Sequence, residues 1–256
     1  MRITRGATGD GLETANVAVV RKLPAAELRD FVEYYWLVRW DLRGQPPRAQ
    51  QALPTIAVYA SFFTGNTGVV GPSHGTLSHL LTGAGQGLAV RFRPGTFRAY
   101  LGSPVSDLAD RAIPLSAVFG DEAEATAAEV GKAGTDEEMV SAVDRLLRTD
   151  VPPLTRQARR AVRVVETLAG TPSITRVDHL SSATRVTVRT LQRLFSEHVG
   201  TSPKWAIRAY RLTDAARRAA MDENRDFGLL AAELGYTDQG HFGGDFGFSP
   251  PASGTP

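Results

Sequence analysis

The chain has 256 residues, 42% of them hydrophobic and 22% charged, with a formal net charge of +2. That composition supports a packed core and argues against general disorder. Cysteine is absent, which excludes disulfides, thiolate metal sites and a cysteine nucleophile.

No apolar run reaches membrane-spanning length, and the opening MRITRGATGDGLETANVAVV lacks a signal-peptide core, so a soluble cytoplasmic protein is expected. Residues 17–103 read mainly as strands and turns. Short apolar runs such as TIAVYASFF and GLAVRF alternate with Gly- and Pro-containing punctuation. One helix is expected among them, over AAELRDFVEYYW, where Leu28, Phe31, Val32 and Tyr35 recur at spacings of three and four. From about 104 the period changes. SPVSDLADRA, DEAEATAAEVGKA and TDEEMVSAVDRLLR read as short helices, several opening on Ser, Thr or Asp as cap candidates.

Pro152 and Pro153 mark a boundary, after which every segment reads as helix through DQGHFGGDF. No repeat of solenoid length is present, but a helix, a short turn and a second helix occur around 177–195 and again around 229–246. The expected fold class is α+β: a β-rich domain with a helical C-terminal part over 1–150, then an all-α domain over 151–256.

Charge is uneven along this order. Residues 1–150 hold 15 Lys and Arg against 17 Asp and Glu; residues 151–220 hold 13 against 4; residues 221–256 hold 1 against 6. A basic block of net +9 thus lies between two mildly acidic ones, a pattern that suits either a polyanion partner or a solvated helical surface.

Within the basic block, VDHLSSATRVTVRTLQRLF places Val177, Leu180 and Ala183 on one face of a first helix and Leu191, Leu194 and Phe195 on one face of a second. ATRVT fits the turn, with Thr187 as N-cap. Arg189, Gln192 and Arg193 are then left outward. Arginine pairs bidentately with guanine and glutamine with adenine in the major groove, while Thr187 suits a phosphate. An ordinary solvated helical hairpin has the same spacing.

Here the sequence resembles the AraC/XylS family of transcription regulators. The resemblance is carried by TLQRLFSEHVGTSPKWAIRAYRL (190–212) and by LAAELGYTDQGHF (230–242), followed by FSPP, and covers roughly 173–250. The family's L-x-R-x-F falls on Leu191, Arg193 and Phe195. Its G-x-S-P falls on Gly200, Ser202 and Pro203, its R-L-x-x-A on Arg211, Leu212 and Ala215, and the start of its second module on Leu230, Ala231, Gly235 and Tyr236. The N-terminal half looks like the sensor-type domain of some of these regulators, through LRDFVEYYW, ALP, the Gly71 turn and VRFRPGTFRAYLG.

The resemblance implies a β-rich sensory or dimerisation domain followed by a double helix-turn-helix domain. The partners it implies are double-stranded DNA, a small-molecule effector and a second copy of the chain, with no cofactor, metal or membrane. Thr187, Arg189, Gln192 and Arg193 would contact DNA from the first module, and Gln239 and His241 from the second. The two recognition helices would lie about 34 Å apart on one face of the duplex.

The sequence departs from the pattern in three places. Arg185 stands where the family has a turn glycine, so a positive φ there would be strained. Gly243 and Gly244 interrupt the second recognition helix, each at about 1 kcal/mol against alanine, and Gly247 follows Phe246 with about four residues missing. The chain also ends in PASGTP, without the family's closing helix. An alternative reading follows, in which the protein is a relative with impaired DNA binding that acts through ligand or protein contacts.

Other constellations favour structural roles. GPSHG (71–75) fits the G-x-S-x-G of a hydrolase elbow at Ser73, but Pro72 and the flanking glycines make an ordinary turn. His74 and His79 have no third clustered ligand for zinc. TGAGQG (82–87) lacks the lysine of a phosphate loop and reads as a hairpin turn. Tyr34, Tyr35, Trp36 and Trp40 suit a core or a ligand cavity. FRPG (92–95) suits a strand-end turn, or a placement of Arg91 or Arg93 toward an anionic effector. No catalytic residue is expected.

Overall fold

The computed structural model describes residues 12–14 and 16–221. The order begins β1 (Leu12–Thr14), β2 (Val17–Lys22), β3 (Val32–Asp41), β4 (Arg48–Ala52), β5 (Tyr59–Phe63), β6 (Asn66–Val70), β7 (Leu77–Leu81) and β8 (Ala84–Phe92). It continues α1 (Arg98–Leu101), β9 (Ala112–Ile113), α2 (Ser116–Phe119), α3 (Glu122–Lys132) and α4 (Asp136–Thr149). The last described elements are α5 (Arg156–Gly170), α6 (Val177–Thr184), α7 (Val188–Leu194), a π-turn at Phe195–Val199 and α8 (Pro203–Met221). The architecture is α+β, a β-rich part followed by a helical one.

An antiparallel sheet of seven strands runs in the order β1-β2-β3-β8-β5-β6-β9, and β4 pairs with β7 in a second, two-stranded sheet. Helices α3 and α4 cover one face of the large sheet. Leu37, Phe62, Leu88, Val90 and Phe92 from the strands and Val130, Met139, Val143 and Leu147 from the helices form one buried cluster. Helix α4 starts on a capping box: Thr135 Oγ1 accepts from the Glu138 N–H at 3.2 Å, and Glu138 Oε2 accepts from the Thr135 N–H at 3.2 Å. The Tyr35 hydroxyl donates to Asp144 Oδ1 at 2.5 Å, tying β3 to α4 inside this layer.

The helix expected over AAELRDFVEYYW is not formed. Only Ala26–Leu28 makes a turn of 3-10 helix, and Val32 begins the ten-residue strand β3. The physical reason is burial on both faces. β3 lies between β2 and β8, with Tyr35 and Leu37 packed under the helices while Val38 and Trp40 pack with Val17, Val19 and Leu81 on the other side. A strand covered on both faces shows a near-continuous apolar run, which periodicity does not separate from a helix. The Thr82–Gly83 corner also differs from a hairpin. It joins β7 to β8, which pair with different strands, and the Trp40 indole N–H donates to the Thr82 carbonyl at 3.0 Å.

A second buried cluster unites Val164, Val165 and Leu168 of α5, Leu180 of α6, Leu191 and Leu194 of α7, and Phe195, Ala206 and Ile207. Ile56, from the loop before β5, joins this cluster, so the helical part packs directly onto the β-rich part.

Candidate nucleic-acid interface

Helix α5 opens at Thr155, whose Oγ1 accepts from the Ala158 N–H at 3.1 Å. Its inner face buries Ala158, Ala161, Val164, Val165 and Leu168, leaving Arg156, Arg159 and Arg163 exposed. Helix α6 ends at Arg185, which holds the left-handed conformation at φ 53° and ψ 39°. The strain anticipated at this position is therefore present in a non-glycine residue. Hydrogen bonds fix the turn around it: the Ser181 hydroxyl donates to the Val186 carbonyl at 2.7 Å, and the Val186 N–H donates to the Ser181 carbonyl at 3.2 Å. Val186 is buried beneath the turn.

Thr187 caps α7, its Oγ1 accepting from the Thr190 N–H at 3.3 Å while its own hydroxyl donates to Thr190 Oγ1 at 3.0 Å. Leu191, Leu194 and Phe195 are buried, whereas Thr187, Arg189, Gln192 and Arg193 are exposed. The structure thus brings the four residues of the first module onto one short solvent-facing surface. Gln239, His241, and the whole of the second module with its glycines lie outside the described residues.

After α7 the chain makes its π-turn and reaches Gly200 at φ 87°. A Cβ at Gly200 would lie 2.8 Å from Val105 Cγ1 and 2.9 Å from Pro72 Cγ, so glycine is required both for conformation and for close approach to the β-rich part. Ser202 then caps α8, accepting from the Trp205 N–H at 3.1 Å, and Pro203 takes the first helical position.

The contact between the two parts is continuous. Arg98 pairs with Glu197 at 2.7 Å, and His74 Nε2 lies 3.4 Å from Thr201 Oγ1. The His74 ring sits 4.7 Å from Trp205, and Gly95 approaches the backbone of α5 at Val162. Sequence reasoning missed this seam. Its signals were the glycines at 95 and 200, read only as part of FRPG and of the family's G-x-S-P. FRPG forms a turn, the Thr96 N–H donating to the Arg93 carbonyl at 3.1 Å, and that turn admits α5.

The remaining candidates have structural partners. Ser73 is bridged to Thr55, its hydroxyl donates to the Gly75 carbonyl at 2.8 Å, and the chain runs on into β7. This is not the strand-to-helix turn that an elbow nucleophile needs. His74 Nδ1 meets Asp110 Oδ2 at 2.6 Å, His79 Nδ1 meets Asn66, and no group suited to a metal ion occurs among the described residues. No helix among the described residues is long and apolar enough to cross a membrane.

A short helix, a tight turn and a second helix capped by Thr187, with a polar outer face, have the form of a helix-turn-helix unit. Residues 180–247 match the family described as a helix-turn-helix domain, and residues 20–114 match a domain of unknown function (DUF6597). The chain carries an AraC-type helix-turn-helix domain behind that β-rich domain, the organisation of an AraC family transcription regulator. No curated protein and no solved structure matches the chain.

Proposed function

We propose that this regulator reads a specific DNA sequence through the outer face of α7. Arg189, Gln192 and Arg193 contact base edges in the major groove, and Thr187 meets a phosphate. The single observation supporting this is the division of α7: its apolar residues are buried while these four polar residues are exposed, even with the β-rich part docked against the π-turn that follows. The exposed arginines of α5 add sequence-independent attraction to the phosphates.

The two domains divide near residue 150, between the two buried clusters. The β-rich domain responds to a small-molecule effector or pairs with a second copy of the chain, and the seam between the parts carries that response to α7. The protein works in the cytoplasm, where its DNA is. The test is selection of a DNA motif by the purified full chain, followed by binding measurements with Arg193→Ala. The expected result is a defined motif and loss of preference at one base.

The second module contributes less. The net charge of −5 over 221–256 and the paired Gly243 and Gly244 favour a weak contact there through Gln239 and His241. Footprinting distinguishes one protected half-site from two.

A further inference from the structure

Four adjacent strands present a second face, turned away from α3 and α4. The registers set Arg21 of β2 opposite Trp36 of β3, Trp36 opposite Ala89 of β8, and Ala89 opposite Ser61 of β5. The neighbouring row runs from Tyr34 through Arg91 to Tyr59. Side chains alternate along a strand, so all of these lie on the face opposite Tyr35, Leu88 and Phe62, which meet the helices. Each of the seven is half-buried.

The two guanidinium groups on this face are provided for differently. Arg91 Nε donates to Glu33 Oε2 at 2.8 Å, and its Nη1 reaches Thr55 Oγ1 at 3.3 Å and the Tyr59 hydroxyl. Arg21 instead lies over the Tyr34 ring at 4.5 Å and the Trp36 ring at 5.2 Å, and its Nε is buried with no hydrogen-bond partner among the described residues. Aromatic faces attract a cation but supply no acceptor for its N–H groups. A buried donor left unpaired is rare and unfavourable. Among the described residues of these strands, Arg21 and Arg91 against Glu33 leave one positive charge in excess, which a single negative charge balances.

The surroundings narrow the shape of that anion. Beside the Trp36 indole the floor falls to the small side chains of Ala89 and Ser61. The Tyr34 hydroxyl has no partner among the described residues, and burial pushes its pKa up to about 12, so it remains a donor at neutral pH. A guanidinium edge matches a planar carboxylate at two points.

We infer that this face binds a small planar aromatic monocarboxylate, with its carboxylate on Arg21 and the Tyr34 hydroxyl and its ring over Ala89 and Ser61 beside Trp36. The inference rests on the effector reading proposed above and gives that effector a chemical class. A route to the DNA-binding part exists at the end of the same face. Thr55 touches Arg91, and the adjacent Ile56 packs in the core of the helical part. Tyr210 of α8 also lies within electrostatic reach of Arg91 and Glu33.

The test titrates the full chain with benzoate and with benzamide, which share a ring and differ in charge. Binding is followed by calorimetry and by the shift in melting temperature. Benzoate should bind and stabilise, and benzamide should bind about tenfold more weakly or worse, as expected for loss of a hydrogen bond to a charged group. Arg21→Gln should abolish the difference, and Arg21→Lys should restore part of it. Ala89→Leu, which leaves Arg21 in place and raises the floor, should block benzoate if Arg21→Gln does not fold. Equal binding of the two compounds, or binding of neither, overturns the carboxylate assignment whatever happens to DNA affinity. Benzoate binding of the expected pattern with unchanged DNA affinity keeps the site and instead removes the effector reading.

Discussion

Arg98, in the helix after β8, and Glu197, in the π-turn after α7, form an ion pair at 2.7 Å across 99 residues of sequence. The pair marks the seam where the β-rich part holds the turn that follows α7. Both side chains are about a third exposed, so the pair itself contributes no more than about 1 kcal/mol. The tighter constraint is Gly200 beside it. Gly200→Ala combines a positive φ with a Cβ 2.8 Å from Val105, and should destabilise the chain by about 1–3 kcal/mol. Arg98→Ala should cost far less. Denaturant melts of both variants give the comparison, and a harmless Gly200→Ala would mean that the two parts are not held together as described.

The same seam should be sensitive to acid. His198 is buried in the π-turn, and its Nδ1 has no hydrogen-bond partner among the described residues. Burial and then the nearby Arg98 charge lower its pKa below the ordinary 6.5, against a smaller opposing pull from Glu197. The folded state therefore favours neutral His198. Its contribution to stability is complete above about pH 6.5 and is lost as the pH falls below that value toward the lowered folded pKa. Asp110 stays ionised over this window, because the hydrogen bonds from His74 outweigh the upward effect of its burial. The melting temperature should drop between pH 7 and pH 5, and should drop less in His198→Gln. Parallel curves for the two proteins would assign the loss to other groups.

Tyr35 and Asp144 offer a stability test away from the seam. The hydroxyl donates to a carboxylate that is almost wholly buried, and the other contacts to Asp144, from the Ala25 N–H and Arg148, are long at 3.4 and 3.5 Å. Tyr35→Phe removes the one short donor and should cost about 1.5–3 kcal/mol in urea unfolding. A cost near zero would show that Asp144 has other solvation.

Much of the first helix-turn-helix was legible because its determinants are local. The Thr187 cap, the left-handed Arg185 and the Ser202–Pro203 start of α8 are each set within a few residues of chain. Strand β3 was misread because its apolar spacing is consistent with a helix, and only its neighbours β2 and β8 make it a strand. The seam was invisible for a related reason. Gly95 meets Val162, and Gly200 meets Val105 and Pro72, contacts between residues far apart in sequence. On the anion face, Tyr34, Trp36 and Arg91 were legible as ligand candidates but Arg21 was not, since it acquires meaning only from the register that sets it beside Trp36 and two small residues.

Salt dependence should report how many modules hold DNA. A single engaged module neutralises fewer phosphates, so the affinity should fall less steeply with salt than for a two-module reader, and a footprint should protect mainly one half-site. Gly244→Arg with four helical residues inserted after Phe246 should extend protection by one helical turn. Equal protection of two half-sites by the unaltered protein would show that Gln239 and His241 already read DNA.

The central claim is that the outer face of α7 reads sequence, and its most direct measurement compares the wild-type chain with Arg193→Ala on the selected site and on single-base variants of it. The account predicts that Arg193→Ala weakens the selected site by about 1–3 kcal/mol and erases discrimination at one base position. Arg156→Ala, on the exposed face of α5, should weaken all sequences alike. Unchanged discrimination at every position after Arg193→Ala would contradict the assignment of α7 as the reading surface.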